Sequence, residues 1–132
     1  MLDFLITRME RVGVVPDEFR ALVWERESLA STCLGNEVAL PHPARAVGHE
    51  TRVAVGLLDE AVNWDGHPVR VVFLSSVACG PKSENAEFYW GLSGIVMERT
   101  SIGELLERRD VATLRRLIAA ELERKEDPWD EW

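Results

Sequence analysis

His42 is the residue of this sequence whose type and position best suit chemistry. It closes the stretch "STCLGNEVALPH", residues 31–42, in which Pro41 cannot donate a ladder hydrogen bond and so marks the end of a strand. The imidazole is therefore predicted at the tip of the strand, close to the helix end that carries Arg26. A histidine with an ordinary pKa of about 6.5 is partly neutral and nucleophilic near neutral pH, and a guanidinium stabilises phosphoryl oxygens. The pair suits phosphoryl transfer; the alternative is an incidental loop histidine.

The other histidines and the two cysteines do not form a metal-ligand pattern. His67 falls in the turn "NWDGHP" and His49 stands beside Glu50, so both are predicted as solvated loop residues, and no spacing supplies the remaining ligands of a zinc site. Cys33 and Cys79 are far apart without a CxxC partner, which predicts two small buried thiols. We expect neither a metal nor another cofactor.

Composition and charge narrow the class of protein. The chain has 132 residues, enough for one domain with a proper core, and a formal net charge of -8. That charge would repel nucleic-acid phosphates, so we expect no direct nucleic-acid partner. No apolar run approaches the roughly 18 residues of a membrane span, and the N-terminus lacks a secretory signal pattern. We therefore expect a cytoplasmic protein without membrane insertion.

The apolar periodicity predicts alternating helices and strands, followed by a helical cluster. A first helix ends at Gly13, and Asp17 is the expected N-cap of a second, which ends near Ser28. Three stretches read as strands, the last of them apolar on nearly every residue as a central strand would be: "EVALPH", "TRVAVGLL" and "PVRVVFLSSVA".

Three consecutive helices follow, the second starting at a Ser101–Glu104 capping box and the third at Asp110. The third should bury one face, formed by Leu114, Leu117, Ile118 and Leu122. The predicted fold class is α/β, close to α+β, in a single layered domain with a mixed central sheet flanked by helices. Residues 1–125 would form this domain, and 126–132 an acidic tail with two tryptophans.

The stretch "RESLASTCLGNEVALPH" resembles the signature of the enzyme IIA domains of the fructose–mannitol type in the bacterial sugar phosphotransferase system. In that signature an Arg-Glu pair precedes a Ser/Thr-x-x-Gly run that ends in Pro-His. A looser similarity continues to about Glu123. The resemblance implies a phosphotransferase fold in which His42 is the phospho-accepting histidine, charged by the phosphocarrier protein HPr or a paralogue and discharged to an enzyme IIB.

The same resemblance implies roles for the neighbouring residues. Arg26 matches the arginine that helps to hold the phosphoryl group. The phosphate-binding loop would consist of Thr32, Gly35, Asn36 and Pro41, with Gly35 permitting a left-handed backbone.

The sequence departs from the family pattern at three places. Asn85 stands where the family often supplies a second histidine, and it can donate a hydrogen bond but carries no charge. Glu37 replaces the usual glycine, and we expect its side chain to point to solvent. The family's opening strand has no counterpart before Met1. Either the chain is trimmed from a longer parent, or the expected sheet lacks its first strand and leaves an edge for a partner or a homodimer.

A second interpretation follows from these departures. Related domains occur in transcriptional regulators and as nitrogen-type regulators, where phosphorylation is a signal rather than a step of sugar transport. The chain would then be a regulatory or interaction module that retains the enzyme IIA fold and acts on a regulator target.

Overall fold

In the computed structural model, which describes residues 1–78 and 91–125, two helices open the chain. Helix α1 spans Leu2–Val12 and ends at Gly13, whose φ of 76° is the left-handed conformation that glycine adopts without a side-chain penalty. Helix α2 spans Phe19–Leu29. The predicted N-cap, Asp17, is wrong by one residue: Glu18 occupies that position and makes no side-chain capping bond.

Four strands form one sheet in the order β1-β2-β4-β3. Their bounds are Cys33–Gly35 (β1), Val38–Ala39 (β2), Arg52–Trp64 (β3) and His67–Ser76 (β4). β2 runs parallel to β4, whereas the β1–β2 and β3–β4 pairs are antiparallel. The sheet is therefore mixed, as predicted, and the apolar stretch within "PVRVVFLSSVA" is an interior strand that is almost wholly buried.

The described chain divides into two units, Met1–Gly80 and Pro81–Trp132. In the first, α1 packs against β3, where the missing side chain of Gly56 leaves room for Met1 and Leu5. Apolar side chains from α1, α2 and the sheet form one core around Ile6, Phe19 and Leu74.

In the second unit, residues 91–96 are helical (α3), followed by α4 (Arg99–Arg108) and α5 (Val111–Lys125). The capping box predicted at Ser101 is wrong, because α4 already begins at Arg99 and its N-cap is Glu98. The cap predicted at Asp110 is confirmed, since its Oδ1 accepts the backbone N–H of Thr113 at 2.7 Å. Of the three consecutive helices predicted in this half of the chain, the first begins before residue 91, and that start lies outside the described residues. The tail 126–132 also lies outside them.

Candidate functional site

The candidate site lies just beyond the carboxyl end of β2, beside the last residues of β4. Because the two strands are parallel, their carboxyl ends meet at the same edge of the sheet, where ligand sites of mixed and parallel sheets commonly form. His42 follows β2 by three residues, and the carbonyl of Pro41 accepts the N–H of Ser75 near the end of β4 at 3.1 Å. The residue before His42 is thus hydrogen-bonded to β4, an interior strand of the sheet.

Two further backbone hydrogen bonds fix the segment around His42. The N–H of Leu40 donates to the carbonyl of Thr32 at 3.0 Å, and the N–H of Ala44 donates to the carbonyl of Leu22 in α2 at 3.1 Å. The prolines on either side of His42 are buried, whereas His42 is half-buried. The imidazole is therefore presented from a held backbone to an accessible surface.

The ring of His42 has a defined orientation. Its Nδ1 lies 2.9 Å from the carbonyl oxygen of Leu40. A carbonyl oxygen can only accept, so Nδ1 must carry the proton and donate. In the neutral ring the lone pair is then on Nε2, because the two nitrogens of an imidazole take opposite roles. The arrangement therefore leaves Nε2 as the nitrogen that can form a new bond.

Arg26 lies in the last turn of α2. It is four residues, about 6 Å along the axis, beyond Leu22, whose carbonyl binds Ala44. Its Nη1 donates to the carbonyl of Ala30 at 2.7 Å, so the guanidinium is turned towards the end of α2. Among the described residues its guanidinium makes no ion pair with a carboxylate.

Glu27 holds the loop between α2 and β1. Its Oε1 accepts the backbone N–H of Thr32 at 3.0 Å and the indole Nε1–H of Trp64 at 2.7 Å, and its Oε2 accepts the hydroxyl of Thr32 at 2.7 Å. Thr32 is buried, with 3% of its surface exposed. Of the predicted loop residues, Thr32 and Pro41 are therefore linked directly to the segment that carries His42.

Gly35 and Asn36 lie at the other end of the β1–β2 hairpin. Gly35 has a φ of 94°, which confirms the left-handed backbone predicted there, and Asn36 and Glu37 follow with φ of 53° and 64°. Three extended residues at about 3.3 Å each separate this turn from Pro41, so the turn shapes the hairpin rather than surrounding the imidazole. The side chain of Glu37 is half-buried.

Of the other histidines, His67 lies at the opposite end of β4, whereas His49 follows Gly48, which bridges to Ala78 just beyond the carboxyl end of that strand. His67 opens β4 in the hairpin with β3 and is exposed, as is His49. Asn85 and Cys79 lie outside the described residues. Within residues 1–78 and 91–125, no three His, Cys, Asp or Glu side chains come together as a possible metal site. No helix in that part of the chain is long and apolar enough to cross a bilayer.

Two contributors to the site were not assigned from the sequence. The first is Glu27. It belongs to the Arg-Glu pair of the motif, but the motif does not predict that its carboxylate accepts a hydrogen bond from the indole of Trp64, 37 residues away. The carbonyl of Leu40 is a backbone group without any side-chain signal. The only sequence feature related to the bond between this carbonyl and His42 is that Leu40 stands two residues before the histidine.

Comparison with known proteins identifies a family. The model of the family "Phosphoenolpyruvate-dependent sugar phosphotransferase system, EIIA 2" matches residues 1–121. A Bacillus subtilis protein described as "Probable licABCH operon regulator" is 28% identical over 114 residues, which are 86% of this chain and 18% of that protein. The mannitol-specific phosphotransferase enzyme IIA component of Mycoplasma pneumoniae is 32% identical over 76 residues, which are 54% of this chain and 52% of that component. The chain thus spans about half or less of these relatives.

A solved structure shares the fold. The complex of the mannitol enzyme IIA with phosphorylated mannitol enzyme IIB from Escherichia coli matches with a TM-score of 0.70 and 22% identity. The match covers 89% of this chain and 83% of that one. It confirms the fold predicted from the resemblance, a mixed sheet flanked by helices.

Proposed function

The chain belongs to the EIIA 2 family of the phosphoenolpyruvate-dependent sugar phosphotransferase system, and from this premise we propose that His42 is a phosphoryl acceptor. The donor is the phosphohistidine of HPr or an HPr paralogue, and the acceptor of the next step is an enzyme IIB. The observation that carries the proposal is the 2.9 Å contact of Nδ1 with the Leu40 carbonyl, which leaves the Nε2 lone pair for attack.

The transfer exchanges one nitrogen–phosphorus bond for another. The lone pair on Nε2 of His42 forms a bond to phosphorus as the donor's N–P bond breaks, and that electron pair returns to the donor imidazole. The ring of His42 gains positive charge while Nδ1 keeps its proton, and the Leu40 carbonyl stabilises that charge. No metal or nucleotide is required, because one phosphohistidine replaces another at nearly equal energy.

Arg26 is the proposed ligand of the phosphoryl oxygens. Two observations support this: Arg26 lies four residues beyond Leu22, whose carbonyl binds Ala44 two residues after His42, and the fork of donors of a guanidinium matches phosphoryl oxygens. Thr32 and Pro41 support the loop, and Asn85 is proposed as a neutral donor in place of a second histidine. Arg26→Gln should slow phosphorylation strongly, and Arg26→Lys should restore only part of the rate because an ammonium cannot bind two oxygens in the same plane.

Two features favour a protein partner over a small substrate. His42 is half-buried at the surface, and the cavity of about 610 Å³ beside Trp64 and Glu27 does not include it. A related mannitol enzyme IIA forms a complex with phosphorylated enzyme IIB. A half-buried imidazole at the surface can still meet the histidine of a second protein, so we propose that both donor and acceptor dock over this edge.

A regulatory role is the second candidate function. The observation that favours it is the operon regulator, which is similar over 86% of this chain. Phosphorylation of His42 would then add nearly two negative charges to a docking surface and change the binding of a regulator target. Addition of candidate enzyme IIB proteins separates the roles, because only a transfer domain passes its phosphoryl group on.

The test is the intact mass of the chain after incubation with phosphoenolpyruvate, enzyme I and HPr or its nitrogen-type paralogue. The wild type should gain one acid-labile phosphoryl group, and His42→Gln should gain none. His67→Gln is the matched control, since His67 is exposed and opens β4, at the other end of the strand from the Ser75 that binds Pro41, and this variant should be phosphorylated like the wild type. Absence of phosphorylation with every donor would refute the proposal.

A further inference from the structure

We propose that Glu27 is a positioning residue that holds His42 in its Nδ1–H tautomer, and so keeps Nε2 as the acceptor of the phosphoryl group. Glu27 does not touch the reacting atoms. It acts through a continuous series of hydrogen bonds that runs from the carboxylate to the imidazole. The expected effect of Glu27 on phosphoryl transfer rests on the proposed function, whereas its expected effect on the tautomer of His42 does not.

The series begins at the carboxylate of Glu27. Glu27 accepts both the N–H and the hydroxyl of Thr32, at 3.0 and 2.7 Å. Both donors belong to a residue that is 97% buried and lies next to the first residue of β1. Buried donors require a partner, so the carboxylate fixes where Thr32 sits.

The series continues through the backbone to the ring. The carbonyl of Thr32 accepts the N–H of Leu40 at 3.0 Å, and the carbonyl of the same Leu40 accepts Nδ1–H of His42 at 2.9 Å. A shift of Thr32 therefore moves the peptide that carries the tautomer-selecting oxygen. With that oxygen displaced, the ring is free to protonate Nε2 instead, and the nucleophilic lone pair moves to the wrong nitrogen.

A third bond anchors the carboxylate from the opposite side. The indole of Trp64 at the end of β3 donates to Oε1 at 2.7 Å. This contact orients Glu27 but does not lie between Glu27 and His42. Trp64→Phe, which removes the donor and keeps an aromatic ring, should therefore have a much smaller effect than removal of the carboxylate.

The experiment reads the tautomer and the transfer rate separately. Two-bond ¹H–¹⁵N correlation spectra of the ¹⁵N-labelled chain, recorded above the ordinary histidine pKa, distinguish Nδ1–H from Nε2–H, and His42→Gln identifies the signals of His42. The rate of phosphorylation by phospho-HPr is measured on the same samples. The variants are Glu27→Ala, Glu27→Asp, Glu27→Gln and Trp64→Phe, with Glu25→Ala on the exposed face of the same helix as the matched control.

We expect Nδ1–H in the wild type, in Glu25→Ala and in Trp64→Phe. Glu27→Ala should show a mixture of tautomers and transfer roughly ten- to a hundredfold more slowly, as for a catalytic group displaced by about 1 Å. Glu27→Gln should approach the wild type, because its amide can accept from the N–H of Thr32 and donate to its hydroxyl. Glu27→Asp keeps the charge but cannot reach all three donors, and should lie between the alanine variant and the wild type.

If Glu27→Ala does not fold, Glu27→Asp decides the question with the same two readouts. A folded alanine or aspartate variant that retains Nδ1–H would overturn the inference, even if its transfer were slow, because the loss would then be structural. If the wild type accepts no phosphoryl group from any donor, the proposed function fails, and the spectra still decide whether Glu27 sets the tautomer.

Discussion

Replacement of Glu37 by glycine should stabilise the protein, although it removes a side chain. Asn36 and Glu37 are the two central residues of the β1–β2 hairpin, and both have positive φ, 53° and 64°. This is the pattern of a type I′ turn, for which Asn-Gly is the preferred sequence. Glu37 therefore holds a left-handed backbone that suits glycine better.

The magnitude follows from two opposing terms. A residue with a side chain in the left-handed region costs roughly 1–2 kcal/mol, whereas the greater freedom of glycine in the unfolded chain costs about 0.5–1 kcal/mol. The net gain expected for Glu37→Gly is about 0.5–1 kcal/mol in the free energy of unfolding. The carbonyl of Glu37 accepts the N–H groups of Arg70 and Val71 at 2.8 and 3.0 Å, and these bonds survive the substitution.

Glu37→Ala is the matched variant, since it also removes the carboxylate but keeps the Cβ atom. In denaturant unfolding, the glycine variant should exceed the alanine variant by about 1 kcal/mol, the reverse of the order in an ordinary helix or strand. Gly66 supplies the reciprocal test: it has a φ of 86° in the β3–β4 turn with open space around its missing Cβ. Gly66→Ala should destabilise by a similar amount. A glycine variant at Glu37 that is less stable than the alanine variant would refute the argument from backbone strain.

The second unit offers two further predictions. A Cβ on Gly94 would approach the buried carboxylate of Glu121, whereas Gly103 has open space at the same position; Gly103→Ala should therefore raise the free energy of unfolding by about 0.5–1 kcal/mol, and Gly94→Ala should be less stable than Gly103→Ala by about 1–3 kcal/mol. Equal effects in denaturant unfolding would contradict this packing. The hydrogen bonds from Thr113 lower the pKa of Asp110, so the cap stabilises α5 above the ordinary aspartate pKa and is lost as the pH falls through the lowered value. The protection factors of the amides in the first turn of α5, which are corrected for intrinsic exchange at each pH, should fall over that range in the wild type but not in Asp110→Asn, which caps without a charge; the same fall in the variant would exclude the carboxylate as the cause.

Patterns confined to neighbouring residues predicted the fold well. The run of apolar residues in β4 indicated an interior strand, and the strand is paired on both sides and almost fully buried. Gly13 ends α1, and Asp110 caps α5, because both signals act within one helical turn. Of the predicted core face of α5, Leu114 and Leu117 are buried, whereas Ile118 and Leu122 are half-buried.

The cap predictions that failed did so for a structural reason. At Asp17 the helix starts later, because the N–H of Phe19 binds the carbonyl of Pro16 in a turn that precedes α2. At Ser101 the helix had already begun, and Glu104 pairs instead with Arg116 of α5 and with Arg108 at 3.8 Å. The glutamate of a capping box can bind either the backbone at the helix start or a nearby arginine. The sequence motif alone does not tell which of the two partners it binds.

The site shows the same division between local and distant determinants. β2 ends at Ala39, two residues before the predicted end at Pro41, but the strand and the histidine are close in sequence, so the position of His42 just beyond the strand was predictable. The tautomer is not encoded by any side chain next to the imidazole: it depends on a backbone oxygen, and that oxygen depends on Thr32, eight residues earlier, and on Glu27. Trp64, at the far end of β3, anchors the same carboxylate. The motif therefore specifies where the proposed phosphoryl acceptor stands, whereas the orientation of its ring depends on contacts that exist only after the sheet and α2 have come together.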